Sequence, residues 1–165
     1  MLILGLDPGI ATTGYGLVSQ QAYQLRAEGH GVVRTASSEA VAERLVHIYR
    51  EISSLIRQHR PDAVAVEKLF FNKNVQTAMS VGQARGVILL AGAQGGLPLL
   101  EYTPSAVKMA VTGHGSAPKK QVQVMVQSVL GMPEMPSPDD AADALAVAIC
   151  GLRHWEWDRR VEGKT

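Results

Sequence analysis

The stretch from Ser137 to Leu152, SPDDAADALAVAICGL, limits what this chain can fold into more than any other. Pro133, Pro136 and Pro138 bar a helix before it. Ser137 is placed to cap a helix, and Pro138 suits the first helical position. Ala141, Ala142 and then Ala144 through Cys150 are all apolar, so the helix has no solvated side and is expected to be buried. Asp143 lies inside that run. Asp139 and Asp140 have an ordinary explanation in the first turn, where acids favour the positive end of the helix dipole and Ser137 with Asp140 resembles a capping box. That explanation stops short of Asp143, one turn on. A buried carboxylate needs a partner or a cation. Asp140 and Asp143 are three residues apart and share a helix face, so the question becomes which other acids meet them.

The chain has 165 residues, enough for one domain with a real core, and residues 1–165 are read as one domain with a short tail, 153–165, to which the sequence assigns no role. A hydrophobic content of 46% and a formal net charge of +1 are a globular balance, so any basic surface must come from local clustering. The lone cysteine, Cys150, excludes an internal disulfide and reads as a buried, inert thiol. No signal peptide precedes the first strand pattern, and the longest apolar runs, such as Val87 to Ala93, are too short to span a membrane. A cytoplasmic location without membrane contact is the expectation.

In chain order, Leu2 to Leu6 reads as a buried strand that ends at the turn signal Asp7-Pro8-Gly9. Tyr15 to Ser19 and Tyr23 to Val33 follow closely, which predicts an antiparallel meander. Asp7 suits either an Asx turn with Gly9 or a metal ligand at a strand end. Glu39 to Arg60 has helical apolar spacing at Val41, Leu45, Ile48, Ile52 and Leu55, and Pro61 stops it. Ala63 to Val66 form a second buried strand closed by Glu67. The helix between makes a parallel crossover, which places Asp7 and Glu67 at the same carboxyl-end edge of the sheet. Open α/β sheets bind ligands at that edge.

Lys68 to Asn74, KLFFNKN, reads as a loop in which Phe70 and Phe71 stand between Lys68 and Lys73. Aromatics among cations suit base stacking with phosphate contacts, although either ring could instead pack into the core. Val75 to Gln94 is a helix in which Gly82 and Gly86 share a face, open to close packing by the chain's own sheet or by a second copy. Leu97 to Glu101 supply a fifth strand, Ser105 to Thr112 a short helix with Lys108, and Pro118 to Leu130 a helix opened by Lys119 and Lys120. The turn and helix start there could hold phosphate, or the two lysines could be mere surface.

Asp7, Glu67, Asp140 and Asp143 therefore point to one cleft. Four carboxylates together repel one another unless cations neutralise them or some take up protons. All-oxygen ligands suit Mg²⁺ or Mn²⁺, and two such ions about 4 Å apart can activate water and stabilise a leaving phosphodiester oxygen. No histidine or cysteine cluster, Walker A loop or nucleophile elbow competes.

The segments GLDPGIATTGYGLV from Gly5, AVEKLFFNKN from Ala65, VGQARGV from Val81, Val107-Lys108, GHGSAPKKQVQ from Gly113 and DDAADALAVAI from Asp139 resemble the RuvC family. These are bacterial Holliday-junction resolvases among the ribonuclease H-like nucleases. Each motif is weak alone; in this order, across about residues 2–152, they are highly specific. The resemblance implies an α/β ribonuclease H-like fold: a five-stranded mixed sheet, three strands antiparallel and then two parallel, flanked by helices. It implies that Asp7, Glu67, Asp140 and Asp143 are the catalytic, metal-binding acids, with two Mg²⁺ or Mn²⁺ ions per site. Phe70 matches an aromatic that wedges into the junction, and Lys108 and Lys119 match lysines that contact DNA or support the cut. Phe71, Lys73 and Lys120 join them as candidate DNA contacts.

The resemblance further implies a homodimer with the helix from Val75 at its interface. It also implies symmetric paired nicks in four-way junctions, often at a thymine-containing site, with 5′-phosphate and 3′-hydroxyl ends, and work alongside RuvA and RuvB in recombination and repair. Asp139 is an acid beyond the pattern, which leaves open whether it or Asp140 is the ligand. Three other readings are weaker. An actin-like ATPase or sugar kinase shares the Asp7-Pro8-Gly9 loop but needs two such domains. A related nuclease acting on RNA does not explain the phenylalanine loop. A non-catalytic junction binder gains nothing from acids near phosphate.

Overall fold

A computed structural model of the chain describes residues 1–22, 24–68 and 75–162. Five strands, β1 (Leu2–Asp7), β2 (Thr12–Gln21), β3 (Gln24–Arg34), β4 (Ala63–Glu67) and β5 (Leu99–Tyr102), form one sheet in the order β3-β2-β1-β4-β5. β1, β2 and β3 pair antiparallel, whereas β4 runs parallel to β1 and β5 parallel to β4. Helices α1 (Val41–His59), α2 (Val75–Gln94), α3 (Pro104–Thr112), α4 (Lys119–Leu130) and α5 (Asp139–Glu162) complete the chain. This is the mixed sheet expected from the sequence, with the crossover through α1 making β4 parallel to β1.

Strand alternation divides the interior in two. Leu4, Leu6, Leu17, Val64 and Val66 face one side and pack with Ile48, Ile52 and Ile56 of α1 and Ala84, Ile88 and Ala91 of α2. Ile3, Val18, Ala63 and Ala65 face the other side and pack with α3, α4 and α5 through Val107, Val111, Val122, Val126, Leu145 and Ile149. Asp7 is two residues beyond Gly5, and Glu67 two beyond Ala65, so alternation turns both acids to the α5 side.

α5 approaches the sheet more closely than ordinary side chains permit. A methyl group on Gly5 would stand 2.2 Å from the Ala144 carbonyl oxygen, one on Gly14 2.0 Å from that of Asp140, and one on Gly16 2.7 Å from the Leu145 nitrogen. Glycine within a strand marks such an approach of two backbones. Every residue of α5 from Ala144 to Cys150 is buried, as its apolar run requires.

Two details differ from the sequence expectation, and a third bears on an alternative it left open. First, α5 begins at Asp139, and the Pro138 carbonyl accepts from the N–H groups of Ala141 and Ala142 at 3.0 and 3.3 Å. Pro138 thus holds the cap position, and the Ser137–Asp140 capping box does not form. Second, α5 continues past Leu152 to Glu162, because no glycine or proline stands between Leu152 and Gly163 and because Trp155 packs against the core. Third, Gly86 is exposed and has nothing within 4 Å of an added methyl, so its own sheet is not what packs there. Among the described residues no helix is long and apolar enough to cross a membrane.

Gly5→Ala is expected to destabilise the protein by ~2–3 kcal/mol, because α5 must be pushed off the sheet. Gly86→Ala should be neutral or slightly stabilising to the fold, by under ~1 kcal/mol, since the added methyl meets nothing within the chain and helix propensity improves. Urea unfolding of both variants checks this, and equal losses would contradict the close docking of α5.

Candidate active site

β1 and β4 are in register through Leu6 opposite Val66, so Asp7 and Glu67 are the next residues on neighbouring parallel strands. Gly14 pairs with Asp7 across the β1–β2 ladder and lets the Asp140 backbone descend onto the sheet. Asp143 follows one turn along α5. Three elements therefore bring four acids to one end of the sheet. Their side chains are half-buried.

The charges interact as the geometry implies. Burial pushes Asp7 up from 3.8 to about 7, and the carboxylates of Asp143, Glu67 and Asp140 push it the same way against Lys119. Burial also raises Glu67, helped by Asp143 and opposed by Lys108. Burial raises Asp143 in spite of a hydrogen bond from Lys119. The cleft thus carries more negative charge than its surroundings neutralise.

Two lysines border it. The Lys119 ammonium, at the start of α4, lies 3.0 Å from Asp143 and 3.3 Å from Asp139. Lys108 of α3 shares a cavity of about 210 Å³ with Glu67, Lys119, Asp143 and Val147. A larger concavity of about 980 Å³ lies between β3 and the end of α4, lined by Arg26, Glu28, His30 and Met132 among others. It contains none of the four acids; charge and convergence, rather than size, mark the smaller one as the site. Lys120 turns outward and donates to Met135 Sδ at 3.3 Å. Phe70, Phe71 and Lys73 lie outside the described residues. Sequence reasoning missed Gln123 of α4, whose amide donates to Asp139 at 2.8 Å. It lies four residues after Lys119, on the same helix face, which was the available signal.

The family model described as "Crossover junction endodeoxyribonuclease RuvC" matches residues 3–151. The chain belongs to the RuvC family. A RuvC from Pelotomaculum thermopropionicum is 53% identical over 164 residues, which are 99% of this chain and 100% of that one. A RuvC from Moorella thermoacetica is 57% identical over 160 residues, 97% and 96% of the two chains. Among solved structures, Thermus thermophilus RuvC in complex with Holliday junction substrate matches with a TM-score of 0.91 and 38% identity over 96% of both chains. The family consists of enzymes that cut DNA internally, and the ribonuclease H-like sheet expected from the motifs is the fold observed.

Asp7 gives a pH test of this RuvC-family cleft. Unfolded, it ionises near 3.8; folded, near 7. As pH rises through that window the unfolded chain releases a proton that the folded chain keeps, so the metal-free protein loses stability and then levels off above it. Glu67 and Asp143 shift in the same direction. Asp7→Asn should therefore melt ~5 °C above the parent at pH 8 in chelator, and no higher below pH 4. Melting curves that coincide at both pH values would contradict the crowding of charge at Asp7.

Proposed function

We propose that this chain resolves four-way DNA junctions by symmetric paired nicks, hydrolysing phosphodiester bonds at a site built from Asp7, Glu67, Asp140 and Asp143. The observation that carries this reading is the convergence of those acids from β1, β4 and α5, beside Lys108 and Lys119, in a family of crossover junction endodeoxyribonucleases.

The donor set fits hard divalent cations. All four groups offer oxygen only, their combined charge is under-neutralised, and an ammonium already rests 3.0 Å from Asp143, where a cation would be favoured. Among the described residues no three of these ligands are drawn into a closed cage, so ions would complete the site by pulling the carboxylates inward. Mg²⁺ or Mn²⁺, two per site in this reading, would supply an activated water and charge neutralisation at the phosphate when bound.

The chain's own residues do the rest. The sheet carries Asp7 and Glu67, and α5 carries Asp140 and Asp143, so the backbone would bring the four acids to one end of the sheet and bound ions would draw their oxygens together. Lys108 and Lys119 would meet the backbone phosphates. Phe70, Phe71 and Lys73 would contact the junction, with Phe70 wedging at the crossover, and Lys120 would lie at the edge of the bound DNA. The products would carry 5′-phosphate and 3′-hydroxyl ends.

A second copy is proposed to cover α2. Met79, Gly86 and Leu90 share one exposed face there, with Met79 and Leu90 65% and 51% accessible. Two copies would present two such sites to the two strands of a junction. We place the protein in the cytoplasm, as one nuclease domain over residues 1–165 acting with RuvA and RuvB in recombination and repair.

A labelled synthetic four-way junction with a Mg²⁺ and Mn²⁺ series tests this. Paired symmetric nicks are expected with metal and none with chelator. Asp7→Asn should lose at least ~100-fold in cutting while holding junction DNA as well as the parent or better, since a negative charge is removed. Gly86→Leu should fold normally yet sediment as a monomer. Binding without nicks in the parent, wild-type cutting by Asp7→Asn, or an intact Gly86→Leu dimer would each contradict the corresponding part.

A further inference from the structure

Asp139 is the acid that stands outside the motif pattern, and its surroundings separate it from the other four. It is exposed, and among the four its charge acts on its helix neighbour Asp143 but not on Asp7 or Glu67. Both of its oxygens are engaged. Oδ1 accepts from Gln123 Nε2 at 2.8 Å, and Oδ2 lies 3.3 Å from Lys119 Nζ. Gln123 is one of few buried polar side chains among the described residues, at 7% exposure. It follows Lys119 by one helical turn on α4, so both reach toward the start of α5 from the same face.

An ordinary surface ion pair is weak, because two long side chains must be held in one geometry. Here the carboxylate is aimed in advance. Gln123 is fixed by packing, it fixes one oxygen of Asp139, and the other oxygen then faces the ammonium. The ammonium in turn reaches Asp143 at 3.0 Å. The four groups form a chain that runs from the buried face of α4 to the acid cleft.

We infer that Asp139, oriented by Gln123, is a positioning residue: it tethers the Lys119 ammonium at the lip of the cleft, so that Lys119 can leave Asp143 for a substrate phosphate without swinging into solvent. This deepens the nuclease reading and rests on it for the destination of Lys119. The tether itself does not depend on that reading. Asp139 as a further metal ligand is the competing role, and it would draw at least one of its oxygens away from Gln123 or Lys119 toward the cleft.

The test has two arms. In the first, NMR of the ¹⁵N-labelled Lys119 ammonium in the metal-free protein follows its hydrogen exchange with water. Asp139→Asn, which sits on the surface and keeps the side-chain shape, should speed exchange by roughly fivefold or more. Gln123→Leu should do the same, and Asp139→Glu should restore most of the protection. In the second arm, single-turnover cutting of a synthetic junction should fall about tenfold in Asp139→Asn, with junction affinity changed by less than about threefold. In a Lys119→Ala background the same substitution should cost nothing more, since the two residues act as one unit. Mn²⁺ affinity should change by less than about threefold.

Unchanged exchange in Asp139→Asn would overturn the tether. An undiminished loss of cutting in the Lys119→Ala background, or a drop in Mn²⁺ affinity beyond about tenfold, would overturn it in favour of a ligand role. If the parent protein cut no junction at all, the nuclease reading would fail, while the exchange arm would still decide whether Asp139 holds Lys119.

Discussion

The structure depends on one contact between backbones. Where β1 and β2 carry Gly5, Gly14 and Gly16, helix α5 lies directly on the strands, with the Ala144 and Asp140 carbonyls occupying the space that methyl groups would fill. Ala141, Ala144 and Ala148 contribute the matching small surface on the helix and are fully buried. Packing this dense transmits small displacements rather than absorbing them. This docking sets where α5 lies on the sheet, and with it where Asp140 and Asp143 stand relative to Asp7 and Glu67.

The same docking creates an electrostatic cost. Partial burial and mutual repulsion push Asp7 up to about 7, and Lys119 and Lys108 oppose the surplus charge. Carboxylates arranged this way destabilise the isolated fold and favour whatever brings positive charge. Stability and function pull in opposite directions at this cleft, as they commonly do where binding groups are gathered in advance. The buried thiol of Cys150, two turns along α5, shows the contrast: burial pushes it up to about 12, and it packs in the core with its sulfur 3.5 Å from His154 Nδ1.

Much of this was legible in the chain itself. Asp7 and Glu67 each close a short apolar run, and one intervening helix was enough to make their strands parallel and bring their ends together. Asp143 inside an apolar helix signalled a buried need for charge. What stayed hidden depended on tertiary contact. Gly5, Gly14 and Gly16 read as ordinary strand residues until α5 is laid across them, although a glycine inside a strand opposite an alanine-rich helix was a usable cue. Ser137 looked like the cap, yet Pro138 took that position. The helix beyond Leu152 was missed because its mixed tryptophan and arginine residues show no apolar stripe, whereas helix formation there needed only the absence of a breaker. The bonds of Asp139 join residues on two helices; the spacing of Lys119 and Gln123 puts those two on one face of α4, but only the packing of α4 against α5 brings Asp139 to them.

The direct measurement is anomalous diffraction from crystals grown or soaked with Mn²⁺. Two peaks about 4 Å apart, each about 2.1 Å from oxygens of Asp7, Glu67, Asp140 and Asp143, are expected, with the Lys119 ammonium withdrawn from Asp143. A cleft without manganese density at saturating metal, or the four acids directed to separate surfaces, would contradict the shared-ion site on which the whole reading stands.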